Sequence, residues 1–128
     1  KIKMIIRGIC CLIPTQHKNI KIISIIDRFL EHTRIFIFNN NKKNETYISS
    51  ADWMTRNLDN RVEVTCPIHD SKIKKEINDI FNIYWSDNVK SRLINQKDAN
   101  VYKSDIKKSN SLRSQLEIYN YYKSKIEN

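Results

Sequence analysis

The sequence predicts a mixed α/β fold in which helices flank a β-sheet, and three observations support this class. Short apolar segments rich in β-branched residues alternate with polar turns in the first half of the chain, as strands do. Two later segments place apolar residues at helical spacing. The 128 residues, 40% of them hydrophobic, are enough for one domain with a buried core. We therefore expect a single domain built on one mixed sheet.

The first two predicted strands are the most apolar segments of the chain. Residues 2–13 form a nearly continuous apolar run, for which we expect a central strand buried on both faces and ending at Pro14. Arg7 interrupts this run and would need either an anionic partner or a position where it reaches the surface at the strand end. Residues 20–26 are dominated by isoleucine and form the second predicted strand.

Three shorter strands and two helices complete the expected order. Residues 35–38 and 46–48 predict a hairpin across the polar loop 39–44, and residues 61–68 predict a fifth strand. Asp70 or Ser71 can cap the first helix, and Ser111 can cap the second. Between the helices, residues 88–110 are polar and charged, and we expect a short strand and a mobile surface loop there.

The formal net charge of +9 predicts an anionic partner such as a nucleotide, a nucleic acid, a polyanion or an acidic membrane surface. No apolar stretch reaches the roughly 20 residues that cross a bilayer, and the three cysteines lack the spacing of a zinc site. We expect these cysteines to be small buried side chains of a cytoplasmic protein. Peripheral association with a membrane stays open.

Residues suited to phosphate chemistry lie between positions 27 and 61. His32 stands two residues before Arg34, and Ser50 follows within a Ser-Ser-Ala-Asp sequence. Histidine exchanges protons near neutral pH, whereas arginine holds phosphate oxygens through two parallel hydrogen bonds. Arg56 and Arg61 follow closely. This spacing predicts a phosphate site, although the same residues also fit the solvated rim of a sheet.

Four collinear segments make the chain resemble the C-terminal domain of bacterial-type polyphosphate kinases. They are IIRGICCLIP at 5–14, ISIIDRFLEHTRIFIF at 23–38, YISSADWMTRNLDNRVEV at 47–64 and SLRSQLEIYNYYKS at 111–124. The segments are distributed over nearly the whole chain. The resemblance implies reversible transfer of the terminal phosphate of ATP to inorganic polyphosphate.

The resemblance also implies roles for individual residues. Arg7 would contact the nucleotide phosphates. His32 would act beside the transferred phosphate as an acid/base or orienting group, and Arg61 would be needed for activity. Further candidates for binding ATP and phosphate are Arg34, Arg56 and Ser50, together with His32 itself. No residue of the chain is expected to bind a metal ion.

The fold implied by the resemblance is a phospholipase D-like domain over residues 1–128. Arg34 stands where a phospholipase D would carry lysine, which argues against lipid hydrolysis. In the family, the histidine that becomes phosphorylated and the residues that bind Mg²⁺ lie in the preceding domain, and neither His17 nor His69 fits that motif. We therefore expect an N-terminally incomplete chain whose preceding domains are absent and which is inactive alone. The implied partners are ATP, ADP, polyphosphate, the rest of the kinase chain and further copies in a homo-oligomer.

Three other functions stay open. A remnant that binds polyanions or nucleotides without catalysis would keep the charge and lose the transfer. A basic domain specific for nucleic acid would need exposed aromatic residues or a recognition helix, which the sequence does not indicate. A phospholipase D-type phosphodiesterase would need a second histidine motif, which is absent.

Overall fold

A computed structural model describes residues 1–8, 10–12, 17–94, 101–103 and 111–127. The chain divides into two compact units, one formed by residues 1–31 with 81–128 and the other by residues 32–80. The mixed α/β class is confirmed, but the prediction of one sheet is wrong, because the described strands form two three-stranded sheets. That the chain is a single domain stays a prediction.

The sheet of the first unit has strand β2 (Ile20–Ile25) at its centre. Strand β1 (Ile2–Ile5) pairs with β2 in parallel, and β6 (Ser91–Leu93) pairs with it antiparallel. Three isoleucines of β2 are buried, whereas Ile2 of β1 is exposed. The prediction that the first strand is central and reaches residue 13 is therefore wrong. The segment is apolar enough for a central strand, but β1 ends at Ile5 and has only β2 as a described neighbour. The expected end at Pro14 lies outside the described residues.

The second unit contains an antiparallel sheet of three strands. Its order is β3 (Ile35–Phe38), β4 (Glu45–Ser49) and β5 (Thr65–Ile68), which confirms the predicted hairpin and the later half of the fifth strand. A 3₁₀ turn at Asn40–Lys42 closes the hairpin, with Asn41 at φ 48° and Lys42 at φ 71°. A short helix, α1 (Thr55–Asp59), precedes β5 and was not predicted.

Two longer helices follow, and their starts differ in how they are capped. Helix α2 (Ser71–Ser86) begins as predicted, because Asp70 Oδ1 accepts hydrogen bonds from the backbone nitrogens of Lys72 and Ile73 at 2.8 and 2.9 Å. Helix α3 (Ser114–Ile126) begins later than a cap at Ser111 would place it, so that prediction is wrong. Its first residue is held by the side chain of Asp87 instead.

Asp87 is a fully buried carboxylate with five hydrogen-bond donors. Its Oδ1 accepts from the backbone nitrogens of Val89, Lys90 and Ser91 at 2.9, 2.7 and 3.0 Å. Its Oδ2 accepts from the backbone nitrogen and the hydroxyl of Ser114 at 2.8 and 2.7 Å. Burial of a charge is tolerated when its lone pairs are satisfied in this way. One side chain thus joins the end of α2, the start of β6 and the start of α3.

Two smaller expectations concern the cysteines and the region between α2 and α3. Cys11 and Cys66 are exposed and Cys10 is half-buried, so the prediction of buried cysteines is wrong. Cys66 lies on β5, whose first three residues are all exposed. Strand β6 confirms the expected short strand, whereas most of the expected surface loop, residues 95–100 and 104–110, lies outside the described residues. Within the described part of the chain, no helix is long and apolar enough to span a membrane.

Candidate functional site

Arg34 and Asp52 form a two-pronged ion pair in the second unit. Arg34 Nε donates to Asp52 Oδ1 at 2.8 Å, and Arg34 Nη2 donates to Asp52 Oδ2 at 3.1 Å. The side chains are 17% and 34% exposed, respectively. The hydrogen bonds with Asp52 raise the pKa of Arg34 above its usual value. Because the two contacts fix the plane of the guanidinium group as well as its position, Arg34 is a rigid cation.

The guanidinium group of Arg34 in turn lies along the imidazole ring of His32. Nη1 is 3.5 Å from His32 Nδ1, and Nη2 is 3.3 Å from His32 Nε2. Which ring nitrogen accepts a hydrogen bond depends on the tautomer. His32 itself is exposed, so a ring held by a fixed cation remains accessible from solvent. The geometry suits a group that exchanges protons with a bound anion.

Ser50 and Glu63 form a second polar contact beside this pair. The hydroxyl of Ser50 donates to Glu63 Oε2 and accepts a hydrogen bond from the backbone nitrogen of Val64 at 3.0 Å. The buried amide of Asn57 donates to the other carboxylate oxygen, Glu63 Oε1, at 2.7 Å. These donors, with the nearby charges of Arg61 and Arg34, lower the pKa of Glu63.

The structure thus shows polar contacts for three of the five candidates of the second unit. His32 and Arg34 lie together, Arg34 pairs with Asp52, and Ser50 pairs with Glu63; we call these five residues the His32 cluster. Arg61 is exposed, and its positive charge helps to lower the pKa of Glu63. Arg56 is exposed in the last turn of α1. Ser50 and one edge of Arg34 are already engaged by carboxylates, so an incoming phosphate would compete with those carboxylates for their donors.

Arg7, the candidate of the first unit, lies beyond the end of β1 and is exposed. Of the two expected alternatives, the one in which Arg7 reaches the surface at the strand end is confirmed. Its Nη1 donates to the backbone carbonyl oxygen of Glu31 at 2.8 Å. A guanidinium group has further N–H donors that this one bond does not use. The expected role of Arg7 in binding phosphate stays a prediction.

Asp52 and Glu63 are site residues that sequence reasoning missed. Both lie in the segment 27–63 that also carries the candidate cations and hydroxyls, the residue types that hold phosphate. Their sequence separations from Arg34 and Ser50 are 18 and 13 residues, so only the pairing of β4 with its neighbours brings them into contact. One feature of the sequence could have indicated them: a buried or half-buried arginine such as Arg34 needs an acidic partner, and Asp52 and Glu63 are acidic residues of the same segment.

Acid should weaken the second unit through Glu63. Because the pKa of Glu63 is lower in the folded chain than its usual value, the unfolded chain takes up the proton first as the pH falls. Its contribution to stability is therefore complete above about pH 5 and is lost as the pH falls through the folded pKa. In urea unfolding between neutral and acidic pH, Glu63→Gln should show a smaller loss of unfolding free energy than the unchanged chain.

Asp59→Asn is the matched control, because Asp59 is an exposed carboxylate of α1. This variant should lose unfolding free energy with the same acid dependence as the unchanged chain. Identical acid dependence of Glu63→Gln and the unchanged chain would contradict the role assigned to Glu63.

The fold and the His32 cluster define a mixed α/β chain with two small sheets and a histidine held by arginine. The chain belongs to the polyphosphate kinase family, since the family model described as polyphosphate kinase C-terminal domain 2 matches residues 1–115. This confirms the resemblance stated from the sequence motifs.

Individual relatives agree with this assignment. The chain is 51% identical to a polyphosphate kinase of Vibrio parahaemolyticus and 44% identical to one of Escherichia coli, in alignments that cover 96% of this chain. A crystal structure of a polyphosphate kinase from Porphyromonas gingivalis matches with a TM-score of 0.90 at 46% identity, covering 99% of this chain and 20% of that one. The chain spans 18% of the length of the two curated relatives.

Proposed function

We propose that this chain is the part of a polyphosphate kinase that binds the phosphates of ATP and polyphosphate during phosphoryl transfer. The relatives carry the name of that enzyme, and the chain corresponds to about a fifth of their length. The terminal phosphate of ATP would be transferred to a histidine elsewhere in the kinase. A bond from the phosphate to that histidine would form as its bond to the leaving ADP breaks. That phosphohistidine would then pass the group to the end of polyphosphate, and both steps would be reversible.

His32 and Arg61 are the proposed catalytic residues. His32 would exchange a proton with, or orient, the phosphate that is being transferred, with Arg34 holding its ring. Arg61 would neutralise charge on the same phosphate, and its charge already helps to lower the pKa of Glu63 in this unit. Binding of ATP and polyphosphate is proposed for Arg7, His32, Arg34, Arg56 and Ser50. The formal charge of +9 suits a surface that accepts a long polyanion.

The proposed reaction uses Mg²⁺, and the described side chains do not fit this ion. Among the described residues, no three or more His, Cys, Asp or Glu side chains are placed to hold a metal. The carboxylates of the His32 cluster are already engaged, Asp52 by Arg34 and Glu63 by Ser50 and Asn57. We therefore assign Mg²⁺ to the nucleotide phosphates and to the part of the kinase outside this chain, and we derive no step through it.

We further propose a phospholipase D-like fold for this chain and assembly of the complete kinase as a homo-oligomer in the cytoplasm. Support for the fold comes from the arrangement of His32 and Arg34 ahead of β3 with Ser50 after β4, which resembles the histidine, lysine and serine of that superfamily. The observation that carries the proposed function is the accessible His32 ring held by the Arg34–Asp52 pair, in a chain of this family.

Arg7→Ala should weaken binding of tripolyphosphate and of ATP with Mg²⁺ by about tenfold, the loss expected for one charged hydrogen bond. The measurement is a calorimetric titration of the purified chain at fixed salt concentration, because binding through charges varies with ionic strength.

Lys21→Ala is the matched control for this titration, since Lys21 is an exposed cation of β2 and the variant loses the same charge. It should lower the affinity by less than about twofold, the effect of one screened charge. Equal losses of affinity in the two variants would mean that Arg7 acts only as one of many surface charges, which would contradict its proposed role.

A further inference from the structure

We propose that Glu31, Tyr84 and Gln115 are positioning residues that hold Arg7 ready to bind phosphate. They do so without touching the bound anion themselves. This inference rests on the proposed function of Arg7 and adds the device that orients it. All four residues belong to the first unit.

The contact through which the device acts is the hydrogen bond from Arg7 to Glu31. Arg7 Nη1 donates to the backbone carbonyl oxygen of Glu31 at 2.8 Å, across 24 residues of sequence. A free arginine side chain has many rotamers, and binding an anion restricts them at a cost in conformational entropy. A carbonyl fixed in space removes part of that cost before the anion arrives.

The carbonyl of Glu31 is fixed because both oxygens of its side chain are hydrogen bonded. Oε2 accepts from the hydroxyl of Tyr84 at 2.6 Å, and Oε1 accepts from the side-chain amide of Gln115 at 2.7 Å. Tyr84 lies on α2 and Gln115 on α3, so two helices hold one residue from two directions.

Further contacts of α3 hold the backbone that leads into Glu31. The amide of Gln115 accepts a hydrogen bond from the backbone nitrogen of Phe29 at 3.1 Å and donates to its carbonyl oxygen at 2.9 Å. Arg113 donates to both oxygens of Asp27 at 2.7 and 2.6 Å, and the Asp27 side chain is only 2% exposed. These bonds make residues 27–31 a rigid support, on which Arg7 rests.

A double-mutant cycle between Arg7 and Tyr84 tests the inference. Tyr84→Phe removes one hydroxyl from a part-buried contact and should weaken tripolyphosphate binding by roughly threefold, about half in free energy of the loss expected for Arg7→Ala. In an Arg7→Ala background the same substitution should have no effect, because a residue that acts through Arg7 has nothing left to orient. Tyr119→Phe, which removes an exposed hydroxyl from α3, is the matched control and should leave affinity unchanged in both backgrounds.

The outcomes separate this inference from the proposed function. If Arg7→Ala weakens binding but Tyr84→Phe acts equally in both backgrounds, the positioning role is wrong and the role of Arg7 stands. If Arg7→Ala leaves affinity unchanged, the proposed role of Arg7 in phosphate binding is wrong. The positioning of Arg7 by Glu31, Tyr84 and Gln115 is then tested by a measurement that needs no ligand.

That measurement is the ¹⁵N relaxation of the Arg7 Nε–H group in the free chain. Tyr84→Phe and Gln115→Ala should each increase the motion of this group on the picosecond to nanosecond timescale, and Tyr119→Phe should not. Dispersed backbone spectra in all variants would show that the fold is intact. Unchanged motion of Arg7 in both Tyr84→Phe and Gln115→Ala would overturn the inference.

Discussion

Replacing Asp87 with alanine should lower the free energy of unfolding of the first unit by about 3–5 kcal/mol, because the variant leaves several buried donors without an acceptor. Those donors are three backbone nitrogens after α2 and two groups of Ser114. Urea unfolding followed by the fluorescence of Trp85, in a Trp53→Phe background, reports this unit separately from the other.

Asp59→Ala controls for loss of a carboxylate, since Asp59 is exposed on α1. It should change the same unfolding free energy by no more than about 0.5 kcal/mol. Asp87→Asn should fall between the two variants, because its amide keeps one acceptor oxygen but points a donor at the remaining groups. A loss below about 1 kcal/mol in Asp87→Ala would contradict the structural role assigned to this carboxylate.

His32→Ala should reduce the rate of phosphoryl transfer by about 10²–10⁴-fold, the usual contribution of a group that moves a proton in the transition state. We would measure this in a chimera of the Vibrio parahaemolyticus kinase in which this chain replaces the matching segment, to which it is 51% identical. The readout is the formation of polyphosphate from ATP. Because His32 is exposed and held mainly by Arg34, the substitution should leave the fold intact.

Thr33→Ala is the matched control in the same chimera, because Thr33 is the exposed neighbour of His32. It should retain the rate of the unchanged chimera. An unchanged chimera without activity would contradict the proposal that this chain supplies a working segment. A rate for His32→Ala within twofold of the unchanged chimera would instead contradict the catalytic role of His32 alone.

Local patterns predicted those elements whose determinants lie close together in the sequence. The isoleucines of β2, the hairpin of β3 and β4, and the Asp70 cap of α2 are such cases. The start of α3 was misplaced because its cap comes from Asp87, 27 residues earlier. Helix α1 was missed because it has five residues and no side-chain cap that would mark its start.

For the candidate site, the kinds of residue could be predicted from the sequence, but their hydrogen-bond partners could not. Residue chemistry and family motifs singled out His32, Arg34 and Ser50. The carboxylates that hold the last two, Asp52 and Glu63, depend on strand pairing and could not be deduced from spacing. For Arg7 the sequence left two alternatives open, and only the structure shows that β1 ends two residues before it and leaves it exposed.

The position of Asp87 also sets the order in which the chain can fold. The hydrogen bonds from Ser114 at the start of α3 to Asp87 join residues 27 positions apart, so they form only after a loop has closed, and loop closure costs entropy before the contact stabilises the chain. The end of α2, by contrast, needs only the three nitrogens that follow Asp87 directly in the chain. Folding should therefore proceed from α2 and β6 to α3, with the support beneath Arg7 assembled last.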